Sequence, residues 1–376
     1  MTRPLDGVRV LDFTRVYSGP YTTLLLADMG AEVVKVEHPD HGDDSRSYGP
    51  LVSGTSGYFE TLNRGKKSIA VDYRAPDGQD VLRRLVGAFD VVVENYRVGR
   101  MQGFGLDYQR LRQINPRLVY TSISGYGQYG HLAHLGCYDI VAQAMSGLMS
   151  LTGVRDTPLK TGPAIADALT GLTAAVGLLG ALYRRTQTGE GGYVDVAMVD
   201  SVFAVLENAL ATHSATGAAP PRQGNSDTAI APFDAFECAD GWIVLAVGND
   251  RLWRKLVSVV GPYLERPEFM TNDLRLKHYD DLKALLSAWV WPQMSRTVLR
   301  KLHRAGIPAG AVRTVDELAD DAQLEARDML MKIPLDDENE IMVPGSPIHI
   351  SGADRPPRVR APKLGEHTEE ILAVLG

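Results

Sequence analysis

Residues 8–37 read as strand, turn, helix, turn, strand, and each boundary is marked by a residue whose backbone chemistry enforces it. Val8-Arg9-Val10-Leu11-Asp12-Phe13 is a short apolar strand. In the turn Arg15-Val16-Tyr17-Ser18-Gly19-Pro20, Ser18 suits a helix cap and Pro20 suits the first helical turn. An apolar helical run covers residues 21–29, Gly30 stops it, and Glu32-Val33-Val34-Lys35-Val36-Glu37 is the next strand. A β-α-β unit of this kind requires a parallel sheet and puts a ligand site at the carboxyl ends of its strands.

The alternation continues. Residues 41–57 form a loop rich in Asp, Gly and Ser, and strands follow at 68–73, 90–93 and 118–124, with helices at 76–87 and 106–114. A helix is predicted over 140–151, a sheet strand over 193–198 and a helix over 199–212. The order implies an α/β protein with a large, open, Rossmann-like sheet domain. Past a linker at 213–225 the texture changes: a hairpin turns at Ala239-Asp240-Gly241, and helices are predicted at 250–260, 280–289 and 296–305. The expected organisation is a large domain over 1–212 and a smaller α+β domain over 226–329. A second linker at 330–347 and a return of 348–376 to the large domain complete it.

The formal net charge of −7 gives no reason to expect nucleic acid or an anionic membrane as partner. Cys137 and Cys238 lie far apart and in no metal spacing, which fits a reduced, cytoplasmic protein. The N-terminus has no apolar signal region. The run 168–182 consists only of Ala, Leu, Thr, Gly and Val, too short to span a bilayer, and reads as a buried helix.

Asp167 stands at the head of that run and is the only charge between Lys160 and Arg184. Two readings are open. It caps the helix, or it is a desolvated carboxylate aimed into a cleft and able to act as a nucleophile. A second feature is the gathering of Arg15, Arg64, Lys66, Lys67, Arg74, Arg97 and Arg100 at element ends, a candidate cradle for a polyanion as against scattered surface charge. Glu37 occupies the place of a ribose-binding acid, but the first turn lacks G-x-G-x-x-G, so an NAD site is disfavoured.

Taken together, the chain resembles the family III CoA-transferases from end to end. The resemblance rests on residues 4–13, Ser18-Gly19-Pro20, residues 26–37, Asn63 with Lys66-Lys67-Ser68-Ile69, Glu94-Asn95-Tyr96-Arg97, and Asn115-Pro116-Arg117-Leu118. Ala305-Gly306-Ile307-Pro308-Ala309-Gly310 and Ala361-Pro362-Lys363-Leu364-Gly365-Glu366-His367-Thr368 extend it to the tail. It implies a nucleophilic carboxylate in an Asp-x-x-x-Gly helix start, here Asp167 with Gly171. It also implies CoA or acyl-CoA contacts at Tyr17, Ser18, His38, Val71, Asp72, Tyr73, Arg74, Asn95, Tyr96, Arg97, Gly136, Cys137, Tyr138 and Asp139.

The implied reaction moves CoA from an acyl-CoA to a carboxylic acid, with both as substrates, no metal and no permanently bound cofactor. The implied assembly is an interlocked homodimer. Two departures stand out: Gly103 lies where many relatives carry a basic or imidazole side chain, leaving Arg100 as a substitute, and residues 225–232 carry no glycine-rich flap. Bland readings stay beside several contacts: Val71 and Asp72 as strand residues, His38 as a turn histidine, Tyr138 and Asp139 as a helix start.

Two further functions remain open. An α-methylacyl-CoA racemase would place its His-Asp pair on Tyr138-Asp139 and an opposing acid near Asn249-Asp250, and a phenol with an ordinary pKa of about 10 is a poor base. A non-catalytic CoA-binding protein would leave Asp167 as a cap only.

Overall fold

The computed structural model describes residues 3–154 and 156–375. Two compact units share the chain: 1–148 with 160–207 and 322–376, and 149–159 with 208–321.

The first unit is built on a six-stranded, all-parallel sheet. Its strands are β1 Arg9–Asp12, β2 Glu32–Glu37, β3 Lys67–Ala70, β4 Val91–Glu94, β5 Val119–Ser124 and β6 Gly192–Ala197, in the spatial order β6-β5-β4-β1-β2-β3. The strands read as nearly continuous apolar runs because both faces are covered. Leu11, Val34, Ile69 and Val92 pack into one core, and Val10, Val33, Val91 and Val93 into another. From β1 the chain winds outward to β3 and then returns to build β4, β5 and β6 on the other side. The order reverses between β1 and β4, which is where an open α/β sheet leaves a crevice.

Helix α1, Ser18–Asp28, follows β1, and a short α2, Gly57–Asn63, follows the loop after β2. Charged pairs buried among these elements fix the loops at the crevice. Lys66 Nζ lies 3.2 Å from Asp12 Oδ2 and Lys35 Nζ lies 2.8 Å from Asp43 Oδ2, with all four side chains fully buried. Arg64 pairs through both terminal nitrogens with Asp28. Near the C-terminus the chain rejoins this unit: the His367 N–H donates to Ser68 O at 2.9 Å, the Ala70 N–H to Thr368 Oγ1 at 2.9 Å, and Ile371 enters the core.

Several elements differ from expectation. The helix predicted over 140–151 is α3, Asp139–Met145, followed after Gly147 (φ 96°) by a turn at Leu148–Leu151. The helix predicted over 199–212 divides into Met198–Phe203 and Ala209–Thr216. The expected linker 330–347 instead forms an antiparallel hairpin, Leu330–Pro334 with Glu340–Pro344, whose inward Met331, Ile333 and Val343 make a small core of their own. Residues 149–159 fall in the second unit rather than the first.

The apolar run lengthens into α4, Ile165–Thr188, whose 24 residues are long and apolar enough, by length and composition, to cross a membrane. It is not buried all round. Ala174, Leu178 and Leu182 face the sheet core, while Leu172, Val176 and Tyr183 are exposed. The helix is longer than the run 168–182 from which it was read, and the burial expected of it holds for one face.

The second unit pairs Phe233–Cys238 with Gly241–Ala246 and adds Ala309–Ala311 as a third antiparallel strand. Helices Asp250–Val260, Tyr279–Val290 and Ser295–Arg304 supply Trp253, Leu256, Leu286, Val298 and Leu302 to its core.

Candidate active site

The crevice is held together from both sides of the reversal point. Asn95, just after β4, accepts the Arg15 N–H on Oδ1 at 2.9 Å and donates from Nδ2 to the Arg15 carbonyl at 2.8 Å. That pair of bonds ties the loop after β1 to the loop after β4. Val16 sits in the left-handed region at φ 69°, a costly conformation for a Cβ-branched residue. Its N–H points at the buried Asp43 carboxylate, which Lys35 holds from the other side. Although burial alone would raise Asp43, Lys35 and the Ser45 donors bring it down to about 2.

A cavity of about 430 Å³ opens there, lined by Tyr17, Ser18, Asn95, Tyr96, Arg97, Gly136, Cys137, Tyr138 and Asp167, together with Arg15 and Asp44. Nine residues named for catalysis or CoA contact therefore meet in one space, with Arg15 of the basic cluster beside them. Asp167 lies in the first turn of α4, after the N-cap position occupied by Ala164, so it is not the cap. Asp139 serves instead: its Oδ1 accepts the Ala166 N–H at 2.8 Å and the Asp167 N–H at 3.3 Å. Burial, and then the like charge of Asp139, push the Asp167 carboxyl up to about 6. Hydrogen bonds from the Ser18 hydroxyl and backbone N–H oppose that rise.

The spacing Asp-x-x-x-Gly has a steric reason. A Cβ at Gly171 would lie 2.8 Å from Ser18 O and 3.0 Å from Tyr21 Cδ1. The bare glycine lets the start of α1 press against α4, and Thr22 Oγ1 donates across the contact to Gly171 O at 3.1 Å. Ser18 is thereby carried to the Asp167 carboxylate. At Gly136 a Cβ would meet Arg97 Nη2 at 2.7 Å, a contact with a side-chain end rather than with backbone. The guanidinium lies close against the backbone at 136.

Arg15, Tyr96 and Arg97 also line a second cavity of about 550 Å³, with Tyr73, Arg74, Arg100 and Phe104. Of the seven basic residues singled out by position, four surround this space. The other three are structural: Arg64 and Lys66 are in the buried pairs, and Lys67 bridges Glu32 and Glu370. Burial lowers Lys66 to about 8 despite Asp12. Arg15 is paired as well, with Asp44, so it is Arg74, Arg97 and Arg100 that tertiary pairing sets apart, a distinction that position along the chain does not encode.

His38, Val71 and Asp72 line neither cavity. Val71 belongs to the core, and His38 is buried with Nε2 3.4 Å from Asp72 Oδ1, its ring stacked on His41. Asp139 acts from behind Asp167, and Tyr138 at the start of α3 is largely exposed. Sequence reading missed an aromatic group beside Asp167. Tyr58 of α2 contacts Tyr17 and Tyr48 edge-on, at centroid distances of 6.2 and 5.5 Å. Burial, then Asp167, raise its phenol well above the usual value. The one local signal was Ser56, whose Oγ caps α2 by accepting the Phe59 N–H at 3.1 Å, inside a stretch that otherwise reads as loop.

With this geometry in view, the profile of CoA-transferase family III matches residues 5–368. The chain belongs to CoA-transferase family III. It is 43% identical over 368 residues to the acetyl-CoA:oxalate CoA-transferase of Acetobacter aceti, covering 96% of this chain and 93% of that one. It is 38% identical over 384 residues to the succinate–glutarate CoA-transferase of Agrobacterium fabrum, covering 99% and 96%. A solved CaiB/BaiF family protein from Brucella suis superposes with a TM-score of 0.88 at 39% identity, over 100% of both chains.

Within this family III chain, the position compared with a racemase acid is occupied structurally. Asp250 pairs with the fully buried Arg275 at 2.8 Å, and Asn249 caps the helix Asp250–Val260.

Proposed function

We propose that the protein transfers CoA from an acyl-CoA donor to a carboxylic acid through covalent intermediates on Asp167. The observation that carries this is a raised, half-buried carboxylate facing a cavity, with Ser18 donors upon it and an arginine-lined cavity adjoining. Relatives named for acetyl-CoA, oxalate, succinate and glutarate support acyl-CoA and carboxylate substrates.

In the proposed sequence the Asp167 carboxylate attacks the donor thioester carbonyl, giving a mixed anhydride and CoA thiolate. The thiolate attacks the aspartyl carbonyl, releasing the donor's carboxylate and leaving an aspartyl-CoA thioester. The acceptor carboxylate attacks that thioester, forming a second anhydride and freeing the thiolate again. Attack of the thiolate on the acceptor carbonyl yields the new acyl-CoA and regenerates Asp167. Each step interconverts groups of similar acyl-transfer potential. The Ser18 N–H and hydroxyl at the start of α1 already bond the Asp167 carboxylate and suit the tetrahedral oxyanions on the aspartyl carbon. Arg74, Arg97 and Arg100, exposed around the second cavity, suit the phosphates of CoA.

The test is peptide mass spectrometry after mixing with a panel of acyl-CoA esters, beginning with succinyl-CoA, under a hydroxylamine trap. The expected result is an adduct on the Asp167 peptide that Asp167→Ala lacks. No adduct, with exchange of the α-proton into deuterated solvent, would replace transfer by racemisation. Retained CoA binding with neither reaction for any member of the panel would favour a binding protein. A homodimer is part of the same proposal: Leu172, Val176 and Tyr183 leave an apolar stripe on α4. Light scattering at a dimer's mass is the expected result, and a monomer would remove this part.

A further inference from the structure

One buried carboxylate has no part in the chemistry above. Glu94 ends β4, is 4% exposed, and shares a rung of the sheet with Ser122 of β5 and Asp195 of β6. Residues in register on neighbouring parallel strands project from the same face, so the three form a transverse row. Ser122 stands in the middle, hydrogen-bonded to Glu94 and accepting the Tyr193 O–H at 3.0 Å. Ser124, two residues further along the same face of β5, lines the Asp167 cavity.

Each carboxylate of the row grips one cavity loop by a backbone N–H. Glu94 Oε2 accepts from Tyr96 N at 2.8 Å, and Asp195 Oδ2 accepts from Gln128 N at 3.0 Å. The first loop contains Asn95, which fixes Arg15, and supplies Tyr96 and Arg97 to both cavities. The second leads to Gly136, the backbone on which Arg97 rests.

We propose that Glu94 is a positioning residue for coenzyme A: as a carboxylate it holds the Tyr96 N–H and thereby sets Arg97 toward the ligand's anionic end, and its protonation loosens that hold. This rests on the CoA reading of the paired cavities. An N–H bond to a carboxylate is roughly twice as strong as one to a neutral acceptor, so protonation of Glu94 changes the grip without removing it. The titratable groups around it are Tyr96 with Arg15 beside it, Tyr120 of β5, and Tyr193 and Asp195 of β6, with Asp200 next to Asp195. Burial, opposed by Ser122 and the Tyr96 N–H and reinforced by Asp195, brings Glu94 up to about 7. The transition therefore falls in the neutral range.

The experiment is calorimetric titration of CoA into the full chain across neutral pH, comparing wild type, Glu94→Gln and Asp195→Asn. The wild type is expected to bind about tenfold more weakly on the acid side of the transition, while Glu94→Gln keeps one weak affinity. Titration of the CoA phosphate is common to all three proteins, so the difference between their profiles isolates Glu94. Asp195→Asn removes a like charge and is expected to move the wild-type midpoint to lower pH, which keeps the test alive should Glu94→Gln fold poorly. Parallel wild-type and Glu94→Gln profiles with CoA bound, or an unmoved Asp195→Asn midpoint, would overturn the positioning role alone. No CoA binding by the wild type at any pH would overturn the proposed function and this role with it.

Discussion

The Asp139 carboxylate accepts the backbone N–H groups of Ala166 and Asp167, so the helix that bears Asp167 is capped by a residue 28 positions earlier in the chain. Asp167 is thereby released from the capping role its position in sequence suggests. The same proximity adds a like charge, which together with burial keeps the Asp167 proton up to about pH 6. A nucleophile must be ionised, so kcat/KM, which reports the free enzyme, is expected to fall as pH drops through about 6. The stability sign is opposite: a carboxyl raised above its ordinary 3.8 favours the fold at low pH, and that contribution is lost as pH rises through about 6.

Asp139→Asn keeps an acceptor oxygen for the helix and removes the charge. The acid limb of the kcat/KM profile is expected to move to lower pH, with the melting temperature little changed. A limb that stays in place would mean that burial alone sets Asp167.

Gly171→Ala adds a methyl group 2.8 Å from Ser18 O, on backbone that cannot yield without moving α1. A loss of about 1–3 kcal/mol in denaturant unfolding is expected, as for overpacked cores. The loss of kcat is expected to exceed what that instability explains, because Ser18 is displaced from Asp167. Gly180→Ala, where a Cβ meets nothing within 4 Å, is the control.

Asp43→Asn leaves Lys35 buried beside a neutral group and is expected to destabilise by about 3–5 kcal/mol in chemical denaturation. Adding Lys35→Met is expected to recover part of the loss. The pH sign follows from an Asp43 held at about 2 against an ordinary 3.8. Its contribution is complete above pH 3.8 and disappears as pH falls through 2, a limb absent from Asp43→Asn.

Arg74→Gln and Arg97→Gln are each expected to raise the KM for acyl-CoA about tenfold while leaving stability within about 0.5 kcal/mol, because both are exposed at the second cavity. Arg64→Gln is expected to do the reverse, since it strands the buried Asp28. Steady-state kinetics and melting curves on the same preparations separate the two classes.

Sequence alone determined much of this protein. Apolar runs such as Val91-Val92-Val93 bounded by turn residues dictated a parallel sheet, because such strands need cover on both faces. The lone charge of Asp167 at the head of an apolar run marked a carboxylate to watch, whereas the close helix contact that requires Gly171 came to light only in the fold. Tertiary structure decided what each of these residues does. Whether an aspartate caps or faces a cavity depends on whether another group reaches its helix terminus, and Asp139 arrives from a different helix. Whether an arginine is free for a ligand depends on whether a carboxylate meets it, as Asp28 meets Arg64, while Arg74 stands at the open edge of the second cavity. Local pattern records the backbone's preferences over a few residues; pairing and desolvation are set by chain segments brought together across the fold.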